Sequence, residues 1–313
     1  MPLIGNLQAM GVAKEPTWGT PTAATTADQF PPLTTPKWEE PVDPIEDDNF
    51  RMRVSKVQGW QQGFRQGKVS FETHAYADVV GNLAMGMYGT DGWASASLHP
   101  FTVNNAGEPP SYSIQMFYGI AGTHSRSFVG MYIETLSFEG TDKGPMKVKV
   151  TYAGGKASTL VVKPTTTYTT TLPWMPWQGQ LTLNSVVKTN LLTWTLNLKR
   201  KVEAIPALGY QDPQSANSTD FECDGKMTFR AEDDTEYLLY NASPGVPFPA
   251  VMVFTSGSQV LTHTMTSCRF ISPVSIDSGT FLKTSATFKG IDNATDSGAS
   301  SLTVAGGKSG SAY

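Results

Sequence analysis

One hexapeptide pattern occurs twice in this chain: GKVSFE at Gly67–Glu72 returns as GKMTFR at Gly225–Arg230, an offset of 225 − 67 = 158. Both copies alternate apolar and polar, with Val69 and Phe71 matching Met227 and Phe229, the period-two pattern of a half-buried strand. The match continues in order. Each copy leads into a short helical stretch. In the first, Asp78 caps a run in which Val80, Leu83, Ala84 and Met87 share one face and Gly89 closes the helix; in the second, Asp233 or Asp234 precedes Tyr237, Leu238 and Tyr240. Pro110–Gly119 then resembles Pro249–Gly257, and Pro145–Gly154 resembles Phe281–Gly290, each a strand ending in an aromatic and a glycine turn. Upstream, Arg51–Val57 and Thr193–Lys199 supply a first strand to each copy. A chain that repeats an ordered series of elements is built from two copies of one supersecondary unit.

This predicts a mainly β fold of two tandem β-sandwich or barrel units, each with a short flanking α-helix. The expected boundaries are an N-terminal arm with an acidic loop at 1–48, a first unit at 49–162, a Pro/Thr-rich connector at 163–180, a second unit at 181–291 and a Gly/Ser-rich tail at 292–313. Only 16% of residues are charged, and Thr, Ser, Gly and Pro are abundant, which favours strands and turns over surface helices. The formal net charge of −4 leaves no basic footprint for gripping nucleic acid. MPLIGNLQAM has neither a basic start nor a continuous apolar run, so a cytosolic origin is expected and no membrane is implied. In that setting Cys223 and Cys268 read as buried thiols, and the Asn-x-Ser/Thr matches at Asn217, Asn241 and Asn293 carry no role.

Nothing in the chain spells out catalysis. His74, His99, His124 and His263 stand singly, without a second ligand at metal-binding spacing, and no nucleophile elbow or phosphate loop is present. No cofactor is expected, and the chain is read as non-enzymatic. Two acidic clusters stand out: EEPVDPIEDD, with Glu39, Glu40, Asp43, Glu46, Asp47 and Asp48, and EDDTE at Glu232–Glu236. They read as solvated loops, or as a charged surface that meets another chain or stays slippery to a polyanion. The spacing of a calcium loop is lacking, and consecutive acids do not make a glycosidase pair.

The remaining puzzle is GVAKEPTWGTPTAATTADQF at Gly11–Phe30, which has no hydrophobic period and no core of its own. Its first part resembles the N-terminal signature of tail tube proteins from long-tailed bacteriophages: a glycine, a Lys-Glu pair, an aromatic, then Gly-Thr. Phe71–Gly89, Pro110–Phe117, Ile133–Tyr152, Gly225–Phe229 and Pro273–Gly290 also look like that family. The resemblance implies a structural virion protein, related to the type VI secretion tube protein, that self-assembles into stacked rings enclosing a channel for genome passage. It implies six units per ring; the internal repeat then favours a trimer with pseudo-sixfold symmetry over a hexamer. Implied partners are further copies of the chain, a tape measure protein and terminator or baseplate proteins. Genomic DNA passes through unbound, and the location is the virion tail, assembled in the host cytoplasm. On this reading the opening segment is an inter-subunit arm, with Lys14, Glu15, Trp18 and Thr20 reaching a neighbour and Trp18 as its anchor. Deleting Met1–Asp28 is then expected to spare the fold, and the acids of 39–48 become candidates for the lumen or a loop. A different class of reading is a carbohydrate- or surface-binding β-sandwich that uses Trp93, Trp174 and Trp177 as a platform.

Overall fold

Among the described residues, the period-two segments become strands. The computed structural model describes residues 8–34, 36–47, 59–93, 97–118, 124–141, 144–158, 165–232, 235–242, 246–272, 275–278 and 282–313. In the first half, β1 (Gln8–Lys14), β2 (Lys37–Glu39), β3 (Val42–Asp47), β4 (Gly59–Arg65) and β5 (Gly67–His74) precede helix α1 (Ala77–Tyr88). There follow β6 (Gly89–Asp91), β7 (Leu98–Val103), β8 (Tyr112–Tyr118), β9 (His124–Gly140) and β10 (Lys147–Ser158). The second half runs β11 (Gly179–Leu183), β12 (Val186–Lys188), β13 (Leu191–Ile205) and β14 (Ser215–Arg230) into α2 (Thr235–Ala242). It closes with β15 (Phe248–Ser256), β16 (Gln259–Phe270), β17 (Ser275–Ser278), β18 (Leu282–Gly290) and β19 (Ser301–Ala305).

The repeat read from the sequence is present in the hydrogen bonding. In the first half β1 pairs with β8, β8 with β9, β9 with β10 and β10 with β5. In the second, β11 pairs with β15, β15 with β16, β16 with β18 and β18 with β14, all antiparallel. The two halves fuse into one 17-stranded sheet, with β3 and β4 as a separate ribbon. Two strands make the join. β13 lies between β14 and the far end of β9, and β19 lies between β16 and β7. Arg51–Val57, expected as the first strand of the first unit, lies outside the described residues, as do Asp233 and Asp234.

Helix α1 forms with Val80, Leu83, Ala84 and Met87 inward and Gly89 closing it in the left-handed region at φ 89°, but its N-cap is Tyr76; Asp78, expected as the cap, lies inside the first turn and accepts from the Thr169 hydroxyl at 2.8 Å. Ten of its twelve residues are buried. The sheet covers one side, and the covering on the other comes from the N-terminal segment and from the Gly/Ser-rich tail. Asn82 Nδ2 donates to the Val12 and Asp28 carbonyls at 3.3 Å each, and the Tyr313 ring lies over Gly81. The 292–313 stretch, expected to be flexible, contributes β19 and the buried side chains of Asp296, Ala299, Leu302, Val304 and Tyr313. Pairing to β16 and β7 satisfies its backbone groups, which the Gly/Ser-rich composition did not disclose.

The second helix departs from expectation in its facing. Tyr237 and Leu238 are exposed, while Glu236 is fully buried and Leu239 and Tyr240 pack against the core. Glu236 accepts from Lys188 Nζ at 2.9 Å, so this member of EDDTE is half of a buried ion pair, not a solvated loop acid.

Candidate assembly interface

The opening segment is built around Glu15. Its carboxylate is buried with no cation paired to it among the described residues, and four donors satisfy it: the Ser113 hydroxyl at 2.7 Å and the Gly130 amide at 2.9 Å on Oε1, and the Ser111 hydroxyl at 2.7 Å and the Gly19 amide at 2.9 Å on Oε2. Trp18 follows from the turn that Gly19 closes. Its indole N–H donates to the Gly130 carbonyl at 3.0 Å, and its ring takes the space a side chain on residue 130 would need. Gly130 has φ 70°, and a Cβ there would come within 2.6 Å of the indole. Lys156 Nζ lies 5.4 Å from the centre of the Trp18 ring, a cation–π contact.

Lys14 points the other way and donates from Nζ to the Tyr313 carbonyl. Burial lowers its pKa, and Lys308 acts in the same direction. Tyr313 is fixed by its amide on Asp91 Oδ2 at 2.9 Å and by its hydroxyl, which accepts from the Lys308 amide at 2.8 Å. His99 completes this cluster, with Nδ1 2.9 Å from Asp91 Oδ2 and Nε2 2.9 Å from the Lys308 carbonyl. Thr20 is exposed, its amide donating to the Thr17 carbonyl. Within the chain itself the segment is held in place. Lys14, Glu15 and Trp18 engage their own subunit, and Ala13, Ala24 and Phe30 form a small buried cluster of their own. The physical reason is chemical: a carboxylate with four fixed donors and an indole over a glycine hold an aperiodic segment as firmly as an apolar stripe would.

Most described residues of the acidic stretch lie in strands, with Glu40 and Pro41 in the link between them. Glu39 ends β2, exposed and paired with Lys37, which lowers its pKa through a hydrogen bond and then through charge. Glu40 is half-buried, and Asp43, Glu46 and Asp47 belong to β3, with Glu46 exposed. Asp48 lies outside the described residues. The β3–β4 ribbon is braced by Arg65, whose guanidinium grips Asp212 with Nε at 2.5 Å and Nη2 at 3.1 Å. Beside this clamp Ile45, Trp60, Leu208 and Tyr210 are all exposed, a concentration of apolar side chains unusual for an isolated chain.

The tryptophan platform does not form. Trp174 is fully buried and donates to the Gln259 carbonyl at 3.4 Å, while Trp177 is exposed at the mouth of a groove of about 480 Å³ with Leu192, Trp194, Met252 and Phe254. Cys223 and Cys268 are buried free thiols, as expected; burial pushes Cys223 up to about 12. Among the described residues no helix is long and apolar enough to cross a membrane.

Among the described residues, the surfaces thus include strand edges without a neighbour and a group of exposed apolar side chains. Among curated proteins, none matches the chain. The family described as phage tail tube protein matches residues 5–300. Over nearly its whole length, this chain belongs to the phage tail tube protein family, structural components of the virion tail.

Proposed function

We propose that copies of this chain close into rings, and that the rings stack into a tail tube whose channel passes the genome into the host. The observation that carries this reading is the strand order that occurs twice within one chain, β1–β8–β9–β10–β5 and β11–β15–β16–β18–β14. Two units per chain favour three chains per ring, giving six units around the channel. DNA is passed rather than held: with a net charge of −4, phosphates find few cations to release counterions. On this reading the acids of 39–48 face the lumen or its rim, a tape measure protein occupies the tube during assembly, and terminator and baseplate proteins cap its ends. The protein acts by assembly, not by catalysis.

Negative-stain microscopy of the purified chain over a range of concentrations tests the proposal. Rings or tubes with a central hole wide enough for duplex DNA are expected. A compact single particle at every concentration contradicts it.

A further inference from the structure

Among the described residues, the internal repeat leaves two strand edges open whose counterparts elsewhere in the same chain are closed. In the second half β13 has a neighbour on each side: Trp194 is opposite Met227 of β14 and opposite Gly140 of β9. In the first half β2 occupies the corresponding place beside β5, with Trp38 opposite Val69. Val69 and Met227 are the matched positions of the two hexapeptides, so Trp38 stands where Trp194 stands. Among the described residues β2 pairs only with β5, and its other edge is free. The burial agrees: Trp194 is 3% exposed beneath its second neighbour, whereas Trp38 is only half-buried.

The complementary edge is β17. It pairs with β18 from Ser275 opposite Ser285 to Ser278 opposite Leu282. Its counterpart in the first half is the last stretch of β9, which pairs with β10 on one side and with β13 on the other. Among the described residues β17 pairs with β18 alone. One chain therefore offers a free β13-like edge and a free β9-like edge. Open edges of this kind are templates for strand addition and are covered in stable proteins.

Resting on the ring reading above, we propose that β2 of one copy pairs antiparallel with β17 of the next, reproducing between subunits the β9–β13 seam that joins the two halves within a chain. The contact is heterologous, an edge of one kind meeting an edge of another, so it closes into a ring when the rotation it imposes divides a full turn. Each chain then contributes two like seams, one internal and one shared, and the sheet runs unbroken around the channel. The register follows from the repeat to within two residues. Aligning Tyr152 with Phe288 sets Glu40 opposite Ile276, and aligning the partners of Val69 and Met227, Tyr152 and Ala286, sets Glu40 opposite Ser278.

Two double variants test the seam, Glu40→Cys with Ile276→Cys and Glu40→Cys with Ser278→Cys. Cys223 and Cys268 are buried and do not compete. Under mild oxidation of assembled protein, one double variant is expected to give covalent dimers and then closed covalent rings on a denaturing gel. A mixture of the corresponding single variants stops at dimers. Hydrogen exchange on the unmodified chain provides the second reading: the amides of Lys37–Glu39 and Ser275–Ser278 should slow at least tenfold on assembly. Assembled wild-type tubes in which both edges exchange as fast as in the monomer overturn the seam while leaving the ring reading intact. A wild-type chain that forms neither rings nor tubes overturns the ring reading itself.

Discussion

Glu15 is a carboxylate buried with no cation paired to it among the described residues, and its four hydrogen bonds decide where the N-terminal segment goes. Removing it strands two serine hydroxyls and two amides, so Glu15→Ala is expected to lower stability by roughly 3 kcal/mol or more, read from denaturant melts. Gly130→Ala acts on the same cradle from the other side. The left-handed φ costs about 1–2 kcal/mol, and the new methyl expels the Trp18 ring. Because both changes break one contact, the Gly130→Ala and Trp18→Ala effects should be strongly non-additive in a double-mutant cycle. His263 gives a pH signature. It is fully buried, and burial, opposed weakly by Asp296, holds its pKa down to about 3, while the unfolded chain titrates near 6.5. The unfolded state therefore binds more protons between those values. The stability is complete above about pH 6.5 and falls as pH drops towards 3, by about 2 kcal/mol at pH 5. Thermal melts at pH 7 and pH 5 should show this loss, and His263→Gln should flatten it.

At the scale of elements, helix α1 depends on covers from both ends of the sequence. Deleting Met1–Asp28 removes β1, the Val12 carbonyl that Asn82 uses and the Glu15 cradle. The expected outcome is loss of the cooperative melt, not the intact fold that the segment's composition suggests; a deletion that melts like the full chain would refute this role. Truncation before Ser301 should do the same, since β19 ties β16 to β7. What was legible and what was not divide along one line. Val69, Phe71, Met227 and Phe229 announce strands because a repeating side-chain period reports a buried face. Residues 11–30 are held largely by hydrogen bonds to fixed groups on distant strands, and such bonds leave no period; in 292–313 the alternation is confined to the five residues of β19, too short to stand out in a Gly/Ser-rich stretch. The duplication of hexapeptide and helix was readable, yet β1 and β11, the outermost members of each series, were not, because no residue pattern marks them as equivalents.

Across the whole molecule, the sequence repeat becomes a repeat of hydrogen bonding, and the internal join through β13 shows one way that two units of this kind share an edge. The family match over residues 5–300 makes the chain a building block of the virion tail. Leu208 and Tyr210 are exposed beside the Arg65–Asp212 clamp, which lies close to the end of β2, and we propose that they contribute to the same assembly contact. Asp212→Ala should loosen this hairpin and weaken assembly while shifting the monomer melt by less than about 1 kcal/mol, since exposed ion pairs contribute little to folding. Sedimentation of the variant against wild type at matched concentration checks it. The central claim is that three duplicated chains close one ring, and native mass spectrometry of the smallest closed assembly tests it most directly. A species of three times the 33.8 kDa chain mass is the predicted result; a closed ring of six chains, or a 33.8 kDa monomer at every concentration, would contradict it.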